Sequence, residues 1–221
     1  MSIADRLYSV KSSLPAQTRL VAVSKYHPAE QLKVAYDAGQ RIFGESHVQE
    51  VAQKAAVLPQ DIEWHFIGHL QTNKVKQLVP FVSMIHSIDS IHLLEEVNKQ
   101  ALKIGRTVDC LLEVHVAQED SKYGFSAADV LKLVADGTLN SFSNVRVRGL
   151  MAMATNTDDQ NEIRREFRSV HDLLTEAKAA GASLFNELSM GMSGDYQIAV
   201  EEGSTLVRVG TTIFGPRDYS K

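Results

Sequence analysis

Lys25 is the residue of this sequence whose position most clearly suggests chemistry. It directly follows the apolar run "RLVAVS" (19 to 24) and stands two residues before His27-Pro28, where a helix is predicted to begin. A lysine amine in a partly desolvated pocket has a lowered pKa and becomes a nucleophile toward carbonyl carbons, which is the chemistry of Schiff-base formation. The alternative is an ordinary solvated lysine at a strand end, which frequency alone would favour.

Glycine and hydroxyl residues late in the chain supply a second chemical signal. Gly191, Ser193 and Gly194 lie in "ELSMGMSGD", and Gly210 and Thr211 lie in "VRVGTTIFG". Glycines allow close backbone approach, and hydroxyl and N–H groups are the donors that a phosphate accepts. The stretch is no Walker motif, and Gly-Ser turns are usually only turns. The signal therefore gains weight only if the fold brings these residues near Lys25.

The elements that must position these residues are short apolar runs that alternate with segments of helical period. Eight runs read as strands, namely 19–24, 41–45, 63–68, 83–88, 107–116, 145–153, 183–190 and 204–210. Near-continuous apolar strands separated by helices indicate a parallel sheet that is covered on its outer face. Eight such units predict a single-domain (β/α)8 TIM barrel over residues 1–221, with an extra N-terminal helix. A doubly wound open sheet is the competing topology.

Helix signals lie between these runs. Pro28 suits a first helical turn, with Gly39 as the stop. Two capping boxes are predicted, one formed by Ser126 with Asp129 and one by Thr157 with Gln160. The helix after the second box has one apolar face, formed by Ile163, Phe167, Val170, Leu174 and Ala177. In such a barrel, reactive groups belong at the C-terminal ends of the strands, and phosphate sites commonly use the loops after strands seven and eight.

Composition limits the classes of partner. Lys and Arg number 23 against 27 Asp and Glu, so the net charge of −4 gives no electrostatic footprint for nucleic acid or an anionic membrane. The sequence has neither a signal-peptide pattern nor an apolar run long enough to span a bilayer, and a cytoplasmic location is expected. The single cysteine, Cys110, lies in "VDCLLEV" and reads as a buried structural thiol. Small-molecule partners are therefore expected.

The motifs, taken together and in order, resemble those of the pyridoxal phosphate homeostasis protein family. They are "VAVSK", "FGE..VQE", "WHFIGHLQTNK", "HSIDS", "GLMAM", "LSMGMS.D" and "GSTLVRVGTTIFGPR", and they cover almost the whole chain. The resemblance implies a fold similar to the N-terminal barrel of alanine racemase, a fold type III barrel. It also implies pyridoxal 5′-phosphate (PLP) as cofactor, held as an internal aldimine on Lys25, and a role in buffering or delivering that cofactor.

The same resemblance assigns roles to other residues. Ser193, Gly194, Gly210 and Thr211 would hold the phosphate. Arg208 would face the pyridine nitrogen, and His69 and Met151 would line the pocket. The family usually has Asn in its "FGEN" motif, where this chain has Ser46; the shorter serine is kept as a candidate ligand on the side of the cofactor's hydroxyl group.

Several of these residues also have a purely structural interpretation. His65 and His69 are four apart, but on a strand running into a loop they would lie about 13 Å apart, so a metal site is not expected. Methionines such as Met151 are more often core fillers than cofactor contacts. Glu45 reads as an ion-pair partner. Arg208, on a central strand, must find a partner or incur a heavy desolvation cost, which favours an inward-facing functional role.

Two classes of function remain open at this point. The first is a PLP-binding homeostasis protein, predicted to be a monomer that contacts PLP-requiring apoenzymes transiently. The second is an enzyme, either a PLP-dependent racemase-like catalyst acting on amino acids or a Schiff-base aldolase. The resemblance weighs against robust turnover, because racemases of this type close the site with a second domain, whereas this sequence ends at Lys221.

Overall fold

The computed structural model describes residues 1–116 and 123–216. Eight parallel strands close into a barrel in sequence order, from β1 next to β2 round to β8 next to β1. The strands are β1 (Arg19–Val23), β2 (Ile42–Glu45), β3 (Glu63–Phe66), β4 (Val82–Ile88), β5 (Val108–Glu113), β6 (Val145–Met151), β7 (Glu187–Ser189) and β8 (Leu206–Val209). The predicted barrel is thus confirmed, and the open sheet is excluded, because Val21 of β1 pairs with Arg208 of β8.

Helices connect the strands on the outside of the barrel. They are α1 (Ile3–Ser12), α2 (Ala29–Asp37), α3 (Val48–Ala55), α4 (Val75–Leu78), α5 (Ile91–Lys103), α6 (Ala127–Ala135), α7 (Gln160–Ala179), α8 (Tyr196–Glu201) and α9 (Thr211–Phe214), with 3₁₀ turns at Thr72–Lys74 and Thr138–Ser141. The expected extra N-terminal helix is α1, which contacts α2 and α9. Its Arg6 donates from Nε to the carbonyl of Ile213 at 2.7 Å.

The structure confirms most of the predicted helix ends. Ser126 and Asp129 form the predicted capping box of α6. Pro28 lies at the N-cap of α2, and Gly39, with φ of 90°, follows its end. The predicted box of Thr157 and Gln160 is wrong: Asp159 caps α7 instead, accepting from the N–H groups of Asn161 and Glu162. An aspartate directly before the helix reaches these donors, whereas Thr157 is two residues too early and only accepts from the N–H of Asp159.

Several predicted strands are longer than the observed ones, and the difference is largest for the runs 183–190 and 107–116. The run 183–190 starts pairing only at Glu187, because Phe185 donates back to Ala182 in a turn. The run 107–116 ends at Glu113, after which Val114 makes an isolated bridge. Both differences concern the ends of strands and leave the number of strands unchanged.

The apolar core has two layers, as a closed sheet covered by helices requires. The outer layer lies between strands and helices and includes the predicted apolar face of α7, which is buried throughout. The inner layer fills the lumen with Val21, Ile42, Met84, Leu111, Met151 and Leu206. Cys110 is fully buried in the outer layer, and burial raises the pKa of its thiol, consistent with a structural role. No helix in the described ranges is long and apolar enough to cross a bilayer.

Candidate functional site

Lys25 lies at the mouth of the barrel, at the C-terminal end of β1. Val21 belongs to the lumen layer, and Val23 lies against Gly210 at the end of β8. Ser24 faces the other way, because its Oγ donates to the carboxylate of Glu45 at 2.6 Å in the buried outer layer. Lys25 follows in the turn after β1 and is half-buried. That its amine faces the mouth stays a prediction.

A buried ion cluster fixes the backbone on both sides of Lys25. Lys54 of α3 donates from Nζ to the carbonyl of Ser24 at 2.9 Å and to the carboxylates of Glu45 and Glu50, each at 2.7 Å. Glu50 in turn accepts from the N–H of Tyr26 at 3.0 Å. Tyr26 has φ of 66°, a left-handed conformation that a bulky residue adopts only when its surroundings hold it there. The cluster of Lys54, Glu45 and Glu50 is therefore a clamp on the lysine-bearing loop.

The two carboxyl groups of this clamp have pKa values shifted in opposite directions. Desolvation raises the pKa of Glu45 to about 7, outweighing the opposing effects of Lys54 and Ser24. For Glu50, by contrast, the hydrogen bonds and charge of Lys54 outweigh partial burial and hold the pKa below its usual value. Glu45 Oε2 is buried with no hydrogen-bond partner among the described residues. Glu45 is the ion-pair partner that its sequence position suggested, with Lys54 as the partner that sequence reasoning did not identify.

Arg208 projects into the barrel from β8 and is 5% exposed. Its Nη1 donates to the carbonyl and the Oγ of Ser189 at 2.9 and 2.6 Å, and its Nη2 donates to the carbonyl of Ala152 at 3.0 Å. In the described ranges no carboxylate forms an ion pair with it. Burial lowers its pKa to about 10, with Asp195 and Glu113 acting in the opposite direction from farther away, so the guanidinium stays charged at neutral pH. The expected inward orientation is confirmed, and it leaves N–H groups for a ligand.

The loops after β7 and β8 meet directly. The N–H of Gly210 donates to Ser193 Oγ at 3.3 Å, and the N–H of Arg208 donates to the carbonyl of Gly191 at 2.9 Å. Gly191 has φ of 88°, and a Cβ there would lie 2.6 Å from that of Ala199. A Cβ at Gly210 would lie 3.0 Å from the carbonyl oxygen of Val23, so this loop also abuts β1. The two glycine-containing loops and the strand that leads to Lys25 thus share one corner of the mouth.

This corner has the donors that a phosphate group requires. The N–H groups of Ser193 and Gly194 donate to no acceptor within the two described ranges, and a Cβ on Gly194 would meet only open space. Thr211 opens α9, so its N–H has no partner in the preceding helical turn, and its side chain is exposed. Unsatisfied N–H groups beside hydroxyls form an anion-binding concavity. The residues present therefore fit the phosphate of the expected cofactor.

Comparison with known proteins identifies the family. A model of the alanine racemase N-terminal domain matches residues 1–218. The pyridoxal phosphate homeostasis protein of Aquifex aeolicus is 41% identical over 202 residues, which is 91% of this chain and 88% of that protein. The human protein of the same name is 40% identical over 221 residues, 94% of this chain and 80% of its own length. The chain belongs to the pyridoxal phosphate homeostasis protein family.

Solved structures similar to this chain have the same barrel. PipY of Synechococcus elongatus, solved without PLP, is 40% identical and superposes with a TM-score of 0.92 over 97% of this chain and all of that one. PipY with PLP bound superposes with a TM-score of 0.90. Alanine racemase of Streptomyces lavendulae, 20% identical with a TM-score of 0.78, shares the fold, and this chain spans 56% of its length.

The remaining predicted site residues follow β2 and β3 or end β6. Ser46 and His69 line a cavity of about 160 Å³ after β2 and β3. His69 is exposed and lies 3.4 Å from Asp89, with Tyr123 packed against its ring. Ser46 Oγ is buried without a hydrogen-bond partner in the described residues, so this candidate ligand has an unsatisfied hydroxyl. Met151 packs within the lumen layer, as a core residue would, and its contact with a cofactor stays a prediction.

Sequence reasoning missed a pair of histidines inside the barrel. The sequence pattern pairs His65 only with His69 and assigns no role to His86, yet His65 Nδ1 lies 2.9 Å from His86 Nε2. The signal that could have revealed them is strand parity, because His86 is two residues after Met84 of the lumen layer and His65 pairs with Met84. Polar residues at inward positions of a narrow barrel are conspicuous once the register is known.

Proposed function

We propose that this protein binds pyridoxal 5′-phosphate through Lys25 and serves in intracellular PLP homeostasis, buffering or delivering the cofactor. One observation carries the proposal: a half-buried lysine, an anion-binding corner and an un-neutralised guanidinium share a single barrel mouth. PLP has an aldehyde, a phosphate and a ring nitrogen, which are the groups these three features complement. The name of the family and the PLP-bound PipY structure support the same ligand.

Each residue would contribute through its own chemistry. The amine of Lys25, held by the clamp, is the nucleophile for the aldehyde. Ser193, Gly194, Gly210 and Thr211 would donate hydrogen bonds to the phosphate, and Arg208 would donate to the ring nitrogen. Ser46, His69 and Met151 would line the rest of the pocket.

Arg208 also gives a reason for storage in place of turnover. Bound PLP acts as an electron sink for amino-acid chemistry, most effectively when its ring nitrogen is protonated. A permanent positive charge beside that nitrogen opposes protonation, whereas a carboxylate would favour it. The same guanidinium that holds the ring therefore weakens the chemistry that the cofactor would support. A racemase-like activity on amino acids is the competing function, and rapid turnover would reveal it.

Equilibrium binding tests the proposal. The freshly purified protein should be yellow and should take up added PLP, whereas Lys25→Ala should lose the visible absorbance band and bind PLP at least tenfold more weakly. Lys74→Ala, a change at a half-buried lysine that also borders the mouth, is the matched control and should bind as the wild type does. A colourless wild type that gains no band on addition of PLP would reject the proposed function and leave a Schiff-base aldolase as the alternative.

A further inference from the structure

A chain of polar side chains crosses the interior of the barrel and ends at Arg208. His65 Nδ1 lies 2.9 Å from His86 Nε2, and His86 Nδ1 lies 2.9 Å from Ser189 Oγ. Arg208 Nη1 donates to the same Ser189 Oγ at 2.6 Å. These residues come from four strands, β3, β4, β7 and β8, and each is at most 5% exposed.

Packing alone does not explain this chain. The lumen around it is filled by aliphatic side chains and methionine. Polar groups in such surroundings cost free energy unless every one of them is hydrogen-bonded, and an apolar filling would avoid the cost. The chain is therefore expected to serve the residue at its end.

The chemistry of the partners fixes the direction of the chain. A guanidinium can only donate, so Ser189 Oγ accepts from Arg208. The hydroxyl proton of Ser189 then points to His86 Nδ1, because no other acceptor for it exists among the described residues. His86 must therefore carry its proton on Nε2 and donate to His65 Nδ1, and His65 in turn carries its proton on Nε2.

The chain is neutral, which distinguishes it from an ion pair. Burial lowers the pKa of His65 to about 3 and that of His86 well below its usual value, and the charge of Arg208 lowers the latter further. Both imidazoles are therefore uncharged at neutral pH. Ser189 and the two histidines thus fix the guanidinium by dipoles, whereas a carboxylate in the same place would cancel its charge.

We propose that Ser189, His86 and His65 are positioning residues: a one-directional, neutral hydrogen-bond chain that holds Arg208 in a single orientation and leaves its positive charge for an acceptor in the mouth. Nη1 donates to both oxygens of Ser189, and one N–H of Nη2 donates to the carbonyl of Ala152. The N–H of Nε and the second N–H of Nη2 are therefore the ones offered to that acceptor. The identity of the acceptor, the ring nitrogen of PLP in its unprotonated form, rests on the proposed function. The chain itself does not.

Nitrogen NMR of the ligand-free full-length protein tests the chain. Long-range proton–nitrogen correlations should show His65 and His86 as neutral Nε2–H tautomers from pH 6 to 8. Ser189→Ala should shift the His86 Nδ1 resonance by removing its donor. Ser87→Ala is the matched control, because Ser87 is a buried serine next to His86 that donates to the carbonyl of Gly68. An Nδ1–H tautomer at His86, or a charged ring at either histidine in this pH range, would contradict the proposed hydrogen-bond chain.

Cofactor binding then tests what the chain does. Ser189→Ala should weaken PLP binding by about tenfold and shift the visible band, since a hydrogen bond to a charged group is lost. Ser189→Thr, which keeps the hydroxyl, should restore both, and Ser87→Ala should change neither. Unchanged PLP affinity and spectrum in Ser189→Ala would reject the positioning role even if the tautomers are as stated. If the wild type binds no PLP at all, the proposed function fails, and the tautomers alone decide whether the chain exists.

Discussion

At the scale of single residues, the site separates three tasks among groups that do not neutralise one another. Under the proposed function, Lys25 would supply the nucleophile and the loops around Gly194 and Gly210 would supply N–H donors. Arg208 would supply a charge that its own contacts leave uncompensated. Each task can be removed by a substitution that leaves the other two in place. The predictions at this scale therefore concern one ligand group at a time.

The phosphate donors are tested by comparing two ligands. Charge-assisted hydrogen bonds contribute about 1.5–3 kcal/mol each, so Ser193→Ala should weaken PLP binding roughly tenfold or more. Pyridoxal, which has no phosphate, should bind far more weakly to the wild type and be unaffected by the substitution. Ser169→Ala, a change on the exposed side of α7, is the control. Equal affinities of the wild type for PLP and pyridoxal would show that the corner does not bind phosphate.

The charge of Arg208 is tested by reversing it. Arg208→Glu should retain some PLP and should raise the rate of deuterium exchange at Cα of alanine, because a carboxylate stabilises the protonated ring nitrogen. Arg208→Gln removes the charge without replacing it and should fall between the two. Rates are compared at equal PLP occupancy. Exchange by the wild type at a rate typical of a racemase would contradict the storage function.

At the scale of elements, the clamp of Lys54, Glu45 and Glu50 links α3 to the loop after β1. Its ammonium is buried and holds two carboxylates and a backbone carbonyl. Lys54→Met would leave buried Glu45 and half-buried Glu50 without their cation, and removing one partner of a buried ion pair costs about 3–5 kcal/mol in comparable cases. Urea unfolding should show this loss, whereas Lys33→Met, which removes an exposed pair with Asp37, should cost less than about 1 kcal/mol. Similar losses for both variants would mean that the clamp is not a buried ion cluster.

The raised pKa of Glu45 predicts a pH dependence of stability. Its pKa is about 7 in the folded protein against 4.5 for an unperturbed glutamic acid, so the folded state binds this proton more tightly. The contribution to stability is fully present below pH 4.5 and is lost as the pH rises through 7. Between these values the wild type should lose up to about 3 kcal/mol more than Glu45→Gln in the free energy of unfolding. Parallel curves for the two proteins would contradict the assignment.

Element boundaries show where sequence patterns stop being informative. The capping box of Ser126 and Asp129 was predictable because all of its atoms lie within one turn. The start of α7 was not, since Thr157 and Asp159 are both good caps and the choice between them depends on where the chain leaves β6. Such choices are settled by tertiary contacts that local sequence does not contain.

At the scale of the whole molecule, the barrel was predictable because eight apolar runs alternate with helices, and closure brings strand ends one, seven and eight together without further information. That closure is why Lys25, Ser193 and Gly210 could be assigned to one corner from sequence. The histidine pair and the clamp could not, because they depend on which side of each strand faces inward and on contacts between β2 and α3. A shift of one residue in register reverses every such assignment.

The most direct test of this account is chemical trapping of the cofactor on its lysine. The protein is incubated with PLP, reduced with borohydride, digested and analysed by peptide mass mapping. A pyridoxyl group on Lys25, absent from Lys25→Arg, is the predicted result. Modification of another lysine in its place, such as Lys74 at the edge of the mouth or Lys122 outside the described residues, would contradict it.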